Sequence, residues 1–291
     1  MNLYFSAMKK ITLIIITFLS VNILTAQDQK QETKTPKASY FKAAIGYLSN
    51  SVYNGRKDSL VTPYFSPSLG YYDKSGFSVS GTVSYLSSAS ESRIDLFSLD
   101  LSYDFTISDK LSGGIYANKS FYNQSSSAVG SGLNGSLGAY FSFDPGILSI
   151  GGGVDAAFSQ STDIGANGSL SHGFTIGEEG SQWAITPTVS ANAGSQNYYQ
   201  DYYKNRKKSF KANRAGNVNT ILVKNANQFI LLDYELALPV VFERKKWGIS
   251  FKPSYATPIN PISYSLNNGA TFTSEKLENS FFVELGGYIK F

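Results

Sequence analysis

From Tyr40 onward the chain alternates apolar and polar positions with a period of two. Phe77, Val79, Gly81, Val83 and Tyr85 alternate with Ser78, Ser80, Thr82 and Ser84. Phe97, Leu99, Leu101, Tyr103, Phe105 and Ile107 alternate with Ser98, Asp100, Ser102, Asp104 and Thr106. Trp183, Ile185, Pro187, Val189 and Ala191 do the same against Ala184, Thr186, Thr188, Ser190 and Asn192. A helix would repeat at three and four residues, so these stretches predict strands whose two faces meet different surroundings. Twelve such segments follow one another, at 40–50, 60–72, 76–87, 93–107, 111–122, 132–143, 147–159, 163–176, 182–194, 229–243, 247–257 and 280–291. Most are near the roughly 9–11 residues that a tilted strand needs to cross a bilayer.

The connections sort into two kinds. Alternate ones are tight: Asp73-Lys74-Ser75-Gly76, Ser108-Asp109-Lys110, Asp144-Pro145-Gly146, Gly177-Glu178-Glu179-Gly180 and Arg244-Lys245-Lys246. The others include long ones at 123–131, 195–228 and 258–279. Aromatic residues on the apolar parity gather near both strand ends. Tyr71, Phe77, Phe105, Phe143, Phe174, Trp183, Phe242, Trp247 and Phe291 lie toward the tight turns, while Tyr85, Phe121, Phe158, Tyr255 and Phe281 lie toward the long loops. Aromatic packing inside a soluble sandwich would place them at mid-strand too, yet mid-strand positions on this face are mainly Leu, Ile, Val, Ala and Gly. Two aromatic bands and sorted loops predict an all-β fold: a closed antiparallel transmembrane β-barrel of about twelve strands. Short turns would be periplasmic, long loops extracellular, and an even strand count puts both termini in the periplasm.

Composition narrows this further. The 291 residues contain no cysteine and one histidine, which excludes disulfides, cysteine-based metal sites and a cysteine nucleophile. Mean hydropathy is −0.15, which suits a barrel because only every second strand residue faces lipid. Residues 1–26 read as a signal peptide: Lys9 and Lys10, an apolar stretch at 11–24, and small Ala26 before Gln27. Met8 is the natural start on this reading, and residues 1–7, with Asn2-Leu3-Tyr4-Phe5, resemble part of a protease-site tag. Residues 27–39 form a polar, flexible periplasmic lead, leaving 40–291 for the barrel. Removing 1–26 takes Lys9 and Lys10 from the 25 basic residues and none of the 21 acids, a balance of +2 that gives no case for nucleic acid.

The last residues carry a family resemblance. Gly286, Ile289 and terminal Phe291 resemble the C-terminal targeting signal of outer-membrane barrels, which is read by the barrel-assembly machinery; Leu285 departs from the polar residue usual before the glycine. The polar lead after Ala26-Gln27 resembles that of Bacteroidota-type barrels. The resemblance implies a porin-like outer-membrane protein in contact with lipid and lipopolysaccharide.

His172 decides the question of catalysis. Outer-membrane phospholipases resemble this chain in strand number and use a His-x-Ser pair on one face of the wall. Here Ser171 and His172 are adjacent and so point to opposite faces, and an interfacial histidine is the better reading. No catalytic residue, cofactor or metal site is expected; Gly151-Gly152-Gly153 lacks the helix and Lys-Ser/Thr of a phosphate loop. The inward parity carries Lys42, Asp100, Asp104, Asp155, Asp233, Glu235, Lys252, Glu284 and Lys290. Asp233, Glu235, Lys252, Glu284 and Lys42 are expected to cluster where the last strands meet the first, as ion pairs that offset buried charge, as a stripe lining a polar pore, or as both. Lys204, Arg206, Lys207, Lys208, Lys211 and Arg214 make a basic extracellular loop: one that is solvated, one that bridges anionic lipopolysaccharide, or one that folds over the mouth and favours anionic or sugar-like solutes.

Otherwise the inward residues are mostly Ser, Gly, Thr, Asn and Tyr, with few large apolar groups. Twelve strands enclose more room than the eight that side chains fill. The expected function is a narrow passive channel for small polar solutes; the alternative is a closed barrel acting as a structural, adhesion or secretion-associated protein.

Overall fold

The computed structural model describes residues 38–57, 61–89, 91–126, 128, 132–178, 180–199, 221–266, 273–274 and 276–291. The signal, nearly all of the lead and the basic loop stretch at 204–214 lie outside the described residues. Twelve strands run up and down in chain order: β1 Tyr40–Leu48, β2 Tyr64–Tyr72, β3 Phe77–Ser87, β4 Ser92–Ser108, β5 Leu111–Tyr122, β6 Gly135–Phe143 and β7 Ser149–Phe158. Next come β8 (Thr162–Ser171 and Phe174–Glu178), β9 (Ser181–Ile185 and Thr188–Gly194), β10 (Ile230–Ala237 and Val240–Arg244), β11 Trp247–Pro258 and β12 Ser280–Lys290. Each pairs antiparallel with its chain neighbours. β1 and β12 close the ring, with Lys42 opposite Lys290 and Leu48 opposite Glu284. A closed ring leaves no edge strand and satisfies the backbone internally, as lipid demands.

The exterior is apolar. Ile45, Leu69, Leu99, Ile115, Leu137, Val154, Ile164, Val189, Leu236 and Ile249 stand exposed along the outer wall. Aromatic pairs flank them. At the tight-turn end Trp183 and Phe242 approach to 4.8 Å between ring centroids, and Phe41 and Tyr71 to 5.1 Å. At the long-loop end Phe97 and Phe121 stack at 6.0 Å. Phe291 lies exposed in the tight-turn band, its N–H donating to the Phe41 carbonyl at 2.9 Å. The β2–β3 turn is held by Asp73, which accepts from the Ser75 N–H at 2.9 Å, the Ser39 hydroxyl at 2.8 Å and the Tyr71 hydroxyl at 3.0 Å. Hydrogen bonds from Ser75 first, and then from Ser39 and Tyr71, keep its carboxyl well below the usual carboxylate range.

The wall departs from simple alternation in two ways. β8, β9 and β10 are each interrupted, at 172–173, 186–187 and 238–239. The cause is a row of prolines: the N–H groups of His172, Thr186 and Leu238 donate to the carbonyls of Pro187, Pro239 and Pro253, and proline has no N–H to return the bond. Second, register shifts between Ser84 and Tyr85 against β4, and between Asn192 and Ala193 against β10, mark bulges. The first adds Asp95 to the inner face and the second adds Leu232, and both are buried.

Candidate functional site

The site is the lumen, and it has two unlike parts. From mid-wall toward the tight turns its lining is polar and keeps partial exposure: Ser80, Asp100, Ser102, Asp104, Tyr116, Lys252, Tyr288 and Lys290 are all half-buried. Toward the long loops the inward residues are buried, and several are apolar. Leu48, Tyr64, Leu86, Ala256 and Phe282 from the wall pack with Val52 and Ala128 from the loops. A second cluster joins Tyr53, Leu133, Ala157, Tyr198, Tyr199, Val223, Ala226 and Ile262. The large apolar groups that are scarce over the lumen as a whole are gathered at this one level, where loops cover them.

The centre of the covering is a hairpin in the β1–β2 connection. Val52 pairs with Lys57 and Tyr53 with Arg56 around an Asn54-Gly55 turn whose φ angles are 49° and 72°. Two positive φ values define the two-residue turn for which Asn-Gly is the favoured dipeptide. The turn presses on the wall: a Cβ on Gly55 would fall 2.6 Å from Asp233 Cβ and 3.1 Å from Pro258 Cα. Only glycine permits that approach. Arg56 is 3% exposed. It donates to the carbonyls of Asn54 at 3.1 Å, Ile259 at 3.3 Å and Asn260 at 3.1 Å, with its guanidinium 5.6 Å from the Tyr199 ring centroid.

Neighbouring loops are pinned by buried acids. Asp163 accepts from the Ser195 hydroxyl at 2.6 Å and from the N–H groups of Asn197 and Tyr198 at 2.6 and 2.8 Å, which turns Tyr198 inward against Tyr53. Asp95 accepts from Tyr64 at 2.5 Å, Ser126 at 2.6 Å and Arg93 at 2.8 Å. Arg93 also bonds Glu91 and the Ser125 carbonyl.

The expected charge cluster is only partly brought together. Lys252 and Glu284 are register partners and form an ion pair at 2.8 Å, with the inward-facing Glu235 on the adjacent β10. Asp233 sits on the same strand but nearer the mouth, fully buried under the hairpin, where Asn192 donates to its Oδ1 at 2.6 Å. Lys42 does not join them. It lies opposite Lys290, while Glu284 lies opposite Leu48, about 20 Å away along the strands at 3.3 Å per residue. Lys42 belongs instead to a group at the tight-turn end, its Nζ 4.5 Å from the Tyr72 ring centroid. There Lys290 pairs with Glu243 at 3.3 Å, and Tyr288 donates to Glu243 at 2.8 Å.

The remaining lumen acids stand on the far wall. Asp100 accepts from Asn118 at 2.7 Å, Asp104 from the Tyr140 hydroxyl, and Asp155, on β7 across the ring from β1, lies against Gly165 of β8. His172 occupies the interruption in β8. Its Nδ1 bonds the Ile147 carbonyl and its ring meets Phe174 at 4.5 Å, while Ser171 is buried on the inner face. Sequence parity missed Asp95, because a bulge turns it inward. It also missed Glu243, which continues the inward parity of Glu235 but lies beside the basic 244–246 turn. The 52–57 hairpin carried the strongest overlooked signal, the Asn-Gly dipeptide.

A closed, lipid-faced ring with two aromatic bands and a polar interior defines an outer-membrane β-barrel. No family model matches the sequence, and no curated protein matches it. Among solved structures the chain is similar to LpxR from Salmonella typhimurium, with 10% identity, 86% of this chain and 100% of that one covered, and a TM-score of 0.49. It is also similar to the KdgM porin (7% identity, 86% and 99% covered, TM-score 0.47) and to the COG4313 outer membrane channel from Pseudomonas putida F1 (11% identity, 90% and 98% covered, TM-score 0.43).

Proposed function

We propose that this barrel is a narrow passive channel for small polar solutes, with its tight turns and both termini in the periplasm and its long loops outside. The carrying observation is the partly exposed polar lining from Ser80, Asp100 and Ser102 down to Tyr288 and Lys290. A barrel built only as a membrane anchor has no use for a partly exposed inner face lined by acids, lysines and tyrosine hydroxyls; a solute path does. The reading is not enzymatic, since Ser171 and His172 occupy opposite faces of the wall. In liposomes, the barrel lacking residues 52–57 is expected to admit small polar solutes at rates that fall steeply with size, and the intact barrel to admit them more slowly. Folded protein of both kinds that leaves swelling at the lipid-only rate would contradict the channel.

A second reading has its own support. The packed mouth, with Tyr64, Leu86, Leu232 and Tyr198 at or below 2% exposure, favours a closed barrel that presents its loops to a partner. The same swelling comparison separates the two. Orientation has an independent test. Protease added to intact cells is expected to cut within the basic 204–214 stretch and to spare 244–246; the reverse pattern would invert the topology.

A further inference from the structure

We propose that the 52–57 hairpin is a retractable stopper for the lumen, seated on Asp233 and latched by Arg56; the proposal rests on the channel reading. Three observations carry it. The hairpin is a self-contained unit on a narrow neck. At its base the Asn50 side-chain carbonyl accepts from the Thr62 N–H and hydroxyl, both at 3.0 Å, and the Thr62 hydroxyl accepts from the Ser51 N–H at 3.1 Å. The neck is fixed to the wall by Ser49, whose N–H donates to the Val283 carbonyl at 2.9 Å and whose hydroxyl accepts from the Val283 N–H at 2.8 Å. A tip held this way can swing as one piece without unpairing any barrel strand.

The seat is polar and incompletely satisfied. Ser51 Oγ at the hairpin base and Asp233 Oδ2, 3.2 Å from where a Cβ on Gly55 would fall, are buried without a hydrogen-bond partner among the described residues. Lifting the hairpin hydrates these atoms, which offsets part of the cost of exposing Val52 and Tyr53 to water. The latch is the buried guanidinium of Arg56. Its three carbonyl acceptors come from Asn54 in the hairpin and from Ile259 and Asn260 just past the end of β11. Beneath the seat, the half-buried lining of the lumen continues to the tight-turn end.

The test exploits the absence of cysteine. Val52→Cys places a single thiol on the buried face of the hairpin, where a membrane-impermeant maleimide reaches it only when the stopper lifts. Arg56→Glu sets a second acid beside Asp233. It is expected to raise the labelling rate about tenfold or more, because it removes the three bonds that Arg56 makes and turns a carboxyl toward the same carbonyl oxygens. The Arg56→Glu/Asp233→Arg exchange should return labelling toward that of Val52→Cys alone. Retention of heat-modifiable migration on gels shows that each variant still forms the barrel. Labelling that is unchanged by Arg56→Glu in a folded barrel overturns the stopper. Bilayer currents of the same variants separate this from the channel reading: accelerated labelling without current means the hairpin moves over a lumen that does not conduct, whereas current with unchanged labelling means a channel that needs no such stopper.

Discussion

Replacing Lys252 with alanine is expected to destabilise the barrel by about 3 kcal/mol, the lower end of the range for breaking a buried ion pair. It is also expected to shift any current through the barrel toward cations. Lys252 Nζ lies 2.8 Å from Glu284 Oε1, and the side chains of both are largely buried. Glu235 on β10 faces the same patch. Without Lys252, two acids are left together in a poorly solvated wall, and their repulsion opposes the fold. The lower end of the range applies because Lys252 keeps some contact with lumen water. The same uncompensated charge deepens the negative potential of the lumen, which already carries Asp100, Asp104 and Asp155 on its far side. The selectivity shift should be larger at low salt, where screening is weaker. Unfolding in urea, followed by the fluorescence of Trp183 and Trp247, measures the first effect, and reversal potentials in a salt gradient measure the second. Stability and reversal potential both equal to wild type would show that the Lys252–Glu284 pair neither supports the wall nor faces the solute path.

An arginine at Val154 is expected to cost about 2–4 kcal/mol in a bilayer, the usual penalty for a cation at the midplane of a lipid-facing wall. Val154 is 58% exposed at the middle of β7, on the outer face. Ser80→Arg makes the control. Ser80 is inward and lies in register with Asp100, so the new guanidinium meets water and an acid, and the change should stay within about 1 kcal/mol. Folding free energies measured in lipid vesicles should separate the two by at least a factor of two. Equal tolerance of both substitutions would mean that the outer wall does not face lipid.

Much of this architecture is legible in the alternation, for a physical reason. A wall one residue thick between lipid and a polar interior forces the side-chain period of two onto every strand, so the twelve segments stand out without reference to pairing. What the alternation misses is what breaks or lies outside that period. Pro187, Pro239 and Pro253 remove backbone donors in three adjacent strands, yet two of them sit on the outer parity and do not disturb the pattern. Asp95 is on the outward parity in a linear count, and only the bulge opposite Ser84 and Tyr85 turns it inward. Lys42 and Glu284 share a face and lie on neighbouring strands, but the stagger of the closing pair separates them along the wall. Parity assigns the face and leaves the height unassigned, and a charge cluster requires both.

The hairpin shows the opposite case. Val52-Tyr53-Asn54-Gly55-Arg56-Lys57 carries a turn signal that needs no tertiary information. Its position inside the barrel is a long-range fact, set by Gly55 against Asp233 and by Tyr53 against Tyr198. Local chemistry specifies the hairpin, and the surrounding loops specify where it goes. Because the lumen below keeps its partial exposure, the mouth and the channel are separate questions, and single-channel recording addresses both in one trace. For purified, folded wild-type barrel in a planar bilayer, the account predicts brief, infrequent current steps of one size, and steps of the same size that last longer for the barrel lacking residues 52–57. A flat baseline from both, with folding verified in the same sample, would contradict it.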